Sequence, residues 1–172
     1  MENELTYDIA TKQIRAHRYA AVRAKTTLDK VPAKVVQLLG ETVDYLDSQD
    51  IKPTGPGFGV YYSVGDFLVD LEVGYPIDDE IEGNDRVRGG ELPTVTALFT
   101  TYEGPHKLIP EAHRAVQMWM HEKGVSASAE PVREIYLTDL RDLAEGEDCK
   151  AESVWPIEVQ PSRAERRRES RK

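Results

Sequence analysis

Glu134 is the residue whose type and setting promise the most chemistry. It stands in VREIYL, where strand alternation puts Ile135 and Leu137 on one side and Glu134 and Tyr136 on the other. Removing a lone carboxylate from water is costly and raises its pKa, and a cation or hydrogen-bond donor brought to it relieves the cost. Tyrosine or tryptophan faces beside it add cation–π attraction of roughly 0.5–2 kcal/mol per contact. Tyr61, Tyr62, Tyr75, Tyr102, Tyr136, Trp119 and Trp155 all fall within or beside predicted elements and suit such a cleft. They suit a packed core equally, and Trp119 lies on an apolar helix stripe where packing alone accounts for it. Glu134 also has a plainer reading, as a charge on a half-exposed strand or as the partner of Arg133 or Arg141.

Other chemistries are poorly served. His113 and His121 stand eight apart with no third ligand at a metal-binding spacing and no HExxH, and read as exposed helix histidines. No metal or cofactor is therefore expected. Cys149 sits in EGEDCK, where neighbouring carboxylates raise its pKa instead of activating it. There is no GxSxG, Walker loop or Rossmann glycine pattern, and GPGFG is turn chemistry. No catalytic residue is assured on these grounds.

The elements that must position Glu134 come in two similar sets. In the first half an alternating run from Ile14 to Ala24 places Ala20, Val22 and Ala24 on one face. Pro32 opens a helix whose stripe is Val35, Leu39, Val43 and Leu46, and the strands FGVYYSV and FLVDLEVGYPI follow a KPTGPG turn. The second half repeats the order. Thr94 to Tyr102 alternates, Pro110 opens a helix bearing Ala112, Val116, Trp119 and Met120, and the strands VREIYLTD and AESVWPIEV close the unit. Pairing Pro32 with Pro110, Ile51 with Val125, Val60 with Ile135 and Pro76 with Pro156 gives offsets of 78, 74, 75 and 80.

The fold class is therefore α+β, a tandem repeat of two strand–helix–strand–strand modules with largely antiparallel sheets and a ligand cleft between them. Repeat one covers about 7–79 and repeat two about 92–159 of a single domain over 1–160. Asp78 to Glu91 reads as a polar linker. The halves differ where it matters: the residue matching Glu134 in the first half is Gly59, whose missing side chain leaves room for a guest. The helix is expected over the Ile135 side, leaving Glu134 and Tyr136 on the seam between modules.

Charge narrows the partners. The chain carries a net −9, and residues 1–160 hold 16 basic against 29 acidic groups. A body that acidic repels phosphate backbones, so no sequence-specific nucleic-acid binding is expected. The basic tail at 161–172 reads as a disordered, solubilising end. No window is long and apolar enough for a membrane span, MENELTYDIA lacks a signal-peptide core, and the single cysteine excludes an internal disulfide. A cytoplasmic location follows as the expectation.

The segments LPTVTALFTTYEGPHKLIPEAHRAVQMWMHEKG, PVREIYLTD and ESVWPIEV resemble the GyrI-like family, the effector-binding domain of AraC-type and BmrR-type transcription regulators, over roughly residues 7–159. The resemblance implies a tandem of the same modules and a cleft for small organic ligands, often hydrophobic cations, as in multidrug binding. It places Glu134 at the family's ligand-facing acidic residue, with Tyr136, Tyr61, Gly59, Tyr102, His106, Trp119 and Trp155 as candidate binding residues. Where family members commonly carry histidine before the glycine–proline and tyrosine after it, this chain has Tyr102 and His106, a swap that leaves ligand preference open. The leading reading is a stand-alone sensor or sequestering protein. The alternatives are a hydrolase of reactive cyclopropane-type cytotoxins using Glu134, or a modulator of gyrase or of a regulator through an unidentified protein partner.

Overall fold

The computed structural model describes residues 7–144 and 146–159; the basic tail predicted at 161–172 lies outside them. The strands are β1 (Ala10–Ile14), β2 (His17–Thr27), β3 (Phe58–Val64), β4 (Leu68–Ile77), β5 (Val87–Leu92), β6 (Val95–Pro105), β7 (Val132–Tyr136) and β8 (Asp148–Pro156), and the helices are α1 (Val31–Ser48) and α2 (Ile109–Lys123). The predicted order recurs as β2–α1–β3–β4 and again as β6–α2–β7–β8. All eight strands form one antiparallel sheet in the order β1-β6-β8-β7-β3-β4-β2-β5. The two units meet edge to edge, β3 against β7, with Gly59 opposite Glu134.

Two expectations need correcting. The run from Ile14 to Ala24 is not one strand: β1 ends at Ile14 and β2 starts at His17. Nor is the stretch up to Glu91 wholly linker, because β5 pairs with β2 and buries Val87 and Leu92. Alternation is weak there, since glycines occupy the middle of VRGGEL and leave few side chains to show a face.

Both helices begin with proline in the first turn, where its missing N–H costs nothing. The C-terminus of α2 is closed by Gly124 in the left-handed region (φ 66°) with Val125 N–H donating to Met120 O. Each helix buries its apolar stripe on the same face of the sheet, α1 over β2 and β4, α2 over β6 and β8. Val35, Leu38, Leu39 and Leu46 pack there against Leu71 and Val73, while Val116 and Met120 pack on Leu98.

The opposite face closes on itself. β5 and β6 lie six strand spacings apart, about 29 Å in a flat sheet, yet residues 93–94 alone connect them, a reach of about 11 Å. The sheet must curl, and Leu92 of β5 accordingly packs on Phe58 and Val60 of β3, with Tyr19 and Ile135 alongside. A second cluster of Val95, Ala97 and Val154 includes Ile135 as well. Ile135 therefore faces the closed side of the curl, and Glu134 and Tyr136 face the side that carries the helices, the reverse of the expected arrangement. The physical reason is that Glu134 finds its hydrogen-bond donors on the helix side.

Candidate functional site

A cleft of about 750 Å³ opens between the two helices, bounded by their first turns and by β3 and β7. Glu134, Tyr61, His113 and Trp155 present polar and aromatic surface to it, and Val31, Pro32, Val69, Ile109 and Val132 make apolar wall. The seam thus carries the cleft because neither helix reaches the middle of the sheet. Pro32 and Pro110, which start the helices, also mark its borders.

Glu134 is 4% exposed and fully engaged. Tyr61 Oη donates to Oε2 at 2.7 Å and Tyr136 Oη to the same oxygen at 2.8 Å. His113 Nε2 lies 2.8 Å from Oε1. On the other side of the imidazole, Trp155 Nε1–H donates to Nδ1 at 2.8 Å and Ser153 Oγ stands 2.6 Å from the same nitrogen. An indole N–H only donates, so Nδ1 accepts; the ring is assigned the neutral tautomer with its proton on Nε2, given to Glu134. Three side chains from α2, β3 and β7 thus converge on one carboxylate, and two more from β8 hold the imidazole that touches it.

Burial pushes the Glu134 pKa up, but contact with His113 first, then the hydrogen bonds from Tyr61 and Tyr136, outweigh it and leave it below the usual carboxylate value. The group is ionised, contrary to the rise predicted for a lone buried carboxylate. Among the described residues no lysine or arginine pairs with it. Arg133 is on the opposite face, with Nη2 3.5 Å from Pro93 O, and Arg141 pairs with Asp139 at 3.0 Å. Burial, with the Glu134 charge adding, holds the Tyr61 and Tyr136 hydroxyls far above 10.0. Burial also pushes His106 below its ordinary value, the Glu134 charge opposing.

Of the residues singled out in the sequence, the cleft gathers Glu134, Tyr61, His106 and Trp155. Tyr136 is buried beneath them, its hydroxyl on Glu134 and its ring edge-on to His106 at 5.9 Å. Three others stand elsewhere. Gly59 does not leave room for a guest, because a Cβ there would lie 2.7 Å from Tyr136 Oη and 3.6 Å from the Tyr61 ring. Tyr102 is buried under α2 and donates to Pro105 O at 2.6 Å, and Trp119 packs beside Leu98, Val116 and Met120. Cys149 is buried on β8, its thiol raised first by burial and then by Glu134 and Asp148.

His113, with Ser153 behind it, is a part of the candidate site that the sequence does not announce. It was expected to be exposed with His121, yet its side chain is only 15% exposed and touches Glu134. The signal was present: His113, Val116 and Met120 are spaced three and four apart, on the edge of the buried stripe, whereas His121 is turned about 80° away and exposed. Among the described residues no group of three or more potential ligands is gathered for a metal.

Residues 8–158 match the model of the GyrI-like small molecule binding domain. The chain belongs to the GyrI-like family. Comparison with curated proteins gives no match. Solved structures share the fold at low identity. The chain is similar to the EcmrR C-terminal domain, with 17% identity and TM-score 0.78 over 91% of this chain and 100% of that one. It is also similar to a hydrolase from Listeria innocua, with 15% identity and TM-score 0.59 over 87% and 91%. SAV2435 bound to tetraphenylphosphonium matches with 13% identity and TM-score 0.59 over 90% and 94%. Membership of this family supports small-molecule binding. No described helix is long and apolar enough to cross a membrane.

Proposed function

We propose that the cleft binds a small, hydrophobic organic cation, with Glu134 as its counter-charge and Tyr61 and Trp155 as aromatic walls, and that the chain senses or sequesters that molecule. One observation carries this reading. Glu134 is buried at the base of an apolar cleft, accepts from two hydroxyls and an imidazole, and among the described residues has no lysine or arginine paired with it. Apolar and aromatic walls around a fixed anion suit a cation too greasy to be well hydrated. His106, held toward its neutral form by burial, adds no competing positive charge. The tetraphenylphosphonium held by the structurally similar SAV2435 is a molecule of this class.

The hydrolase alternative asks Glu134 to take up a proton from water. Three hydrogen bonds oppose that, since each favours the ionised form and lowers its basicity. The arrangement Ser153–His113–Glu134 has the composition of a nucleophile, base and acid, but Ser153 is 1% exposed and lies off the cleft, out of reach of a substrate. Binding is the better use of this geometry.

The test is a titration of the protein with tetraphenylphosphonium and, in parallel, with neutral triphenylphosphine oxide, followed by tryptophan fluorescence. Trp155 lines the cleft and reports occupancy. The cation is expected to bind at least tenfold more tightly than the neutral compound. Equal binding of both would remove Glu134 as counter-charge, and turnover of an electrophilic cyclopropane with no cation binding would replace this reading with the hydrolase.

A further inference from the structure

We propose that the indole N–H of Trp155 sets the charge of the site: it holds His113 neutral and thereby keeps Glu134 available to a cationic ligand. A histidine touching a buried carboxylate ordinarily gains a proton and becomes its ion-pair partner. Had His113 done so, the pair would be neutral and the cleft would have little electrostatic preference. The second proton has to go on Nδ1, and Trp155 Nε1–H already points at that atom from 2.8 Å. Two N–H groups cannot share that line. Ser153 Oγ, at 2.6 Å, can accept from Nδ1 or donate to it, because a hydroxyl rotates; the indole has no such choice. Trp155 is thus a positioning residue acting on the ligand's counter-charge through His113.

The groups facing His113 from each packed element agree with this assignment. β7 offers Glu134, β3 offers Tyr61 with its ring centroid 6.3 Å away, and β8 offers Ser153 and Trp155, whose ring centroid is 5.9 Å away. His106, Lys107 and Arg114 near the start of α2 and Asp29 across the cleft complete the charged and titratable surroundings. Among the described residues Glu134 is the one anion within hydrogen-bond distance of the ring, and the indole N–H is the group that keeps it from drawing a second proton there.

The inference rests on the reading that the cleft binds cations, and its test has one arm that needs no ligand. In Trp155→Phe the aromatic wall stays and the N–H is lost, so Nδ1 is free to take a proton and give it to Ser153. Binding of tetraphenylphosphonium to W155F is expected to weaken about tenfold from pH 8 to pH 6 relative to the wild type, in which His106 titrates equally. Binding of triphenylphosphine oxide should not acquire that dependence. The double variant W155F/H113Q, with no imidazole at 113, should lose it again.

In the ligand-free protein, long-range nitrogen–proton correlation should show His113 protonated at Nε2 alone for the wild type at pH 6. In W155F both ring nitrogens should carry protons. A wild-type imidazolium or an Nδ1–H tautomer at pH 6 would overturn the inference, as would a W155F affinity loss equal at every pH. Absence of any cation binding in the wild type, with the neutral tautomer present, would instead remove the binding reading and leave the role of Trp155 without a ligand to serve.

Discussion

Replacing Glu134 by glutamine separates the charge of the site from its architecture. His113 donates from Nε2 to Oε1, whereas Tyr61 and Tyr136 donate to Oε2. The amide oxygen of glutamine turns to His113, and its NH2 faces two hydroxyls that rotate to accept. No buried group is orphaned. Three charge-assisted bonds become neutral ones, a loss of about 1 kcal/mol each, while the desolvation of a buried charge, worth several kcal/mol, disappears. The two nearly cancel, so Tm is expected to stay within a few degrees of the wild type. Ligand binding has no such offset. A cation about 4 Å from the carboxylate gains about 4 kcal/mol at an effective dielectric constant of 20, less where solvent enters the mouth. Tetraphenylphosphonium should therefore bind E134Q about 30- to 1,000-fold more weakly, a change of about 2–4 kcal/mol. Triphenylphosphine oxide should change less than threefold. Calorimetric titration of both variants decides it: an E134Q affinity for the cation within threefold of the wild type would refute the assignment of Glu134 as counter-charge.

The same variant reads out the acid limb of stability. Because the folded Glu134 pKa is lowered from 4.5, its contribution is present above the unfolded value and is lost as pH falls through the folded one. Urea unfolding should show the wild type losing more stability than E134Q between pH 5 and pH 3. Glu134→Ala behaves differently, since it strands three donors in a buried place and is expected to cost about 3 kcal/mol or more.

Further outcomes follow from the packing. Tyr61 and Tyr136 have pKa values raised well above 10.0, so their contribution is complete below that pH and falls as pH rises beyond it; Tyr136 alone removes up to about 1.4 kcal/mol per pH unit. Absorbance at 295 nm should find these two phenols untitrated at pH 11 while the fold persists, and ordinary titration of all eight tyrosines would refute it. Gly59→Ala drives its Cβ onto the Tyr136 hydroxyl, costing about 1–3 kcal/mol in chemical denaturation, and Tyr136→Phe in that background should restore part of the loss. Gly74→Ala would set a Cβ 1.9 Å from the carbonyl of Ala20, where backbone has nowhere to go. That variant should fail to give soluble folded protein, and a normal melting curve would contradict the β2–β4 packing.

Much of the fold was legible because its signals are local. Pro32 and Pro110 mark helix starts, the stripe from Val35 to Leu46 marks the buried face, and the recurring order of elements announces two units. β5 escaped because its central glycines carry no alternation, and the curl of the sheet escaped because it is imposed by the two-residue links rather than by any strand's own pattern. Glu134 stood out as a charge in a half-apolar strand. Its distant donors did not, since Tyr61 and His113 are brought to it from 73 and 21 residues away, and Ser153 and Trp155 to His113 from 40 and 42, by pairings no single segment encodes. A helix is expected over the apolar Ile135 side of its strand. Ile135 of β7 instead packs where the sheet closes on itself, and Glu134 meets its donors beneath the helices.

The place of Glu134 in the seam explains why the two units differ there. Gly59 and Glu134 are equivalent positions when the two sets of elements are matched, and they are also direct register partners across β3 and β7. A local twofold relating the units therefore passes close to this pair. Any residue placed at both positions would meet its own copy, with Cβ atoms about 5 Å apart. Two glutamates would set two carboxylates side by side, and one would have to protonate. Two glycines would leave no counter-charge at all. One glutamate opposite one glycine gives a single anion at the centre, and the gap over the glycine is filled by Tyr136 from the same strand as Glu134, which then donates to it at 2.8 Å. The asymmetry that a lone charge requires is built at the one point where symmetry would otherwise double it.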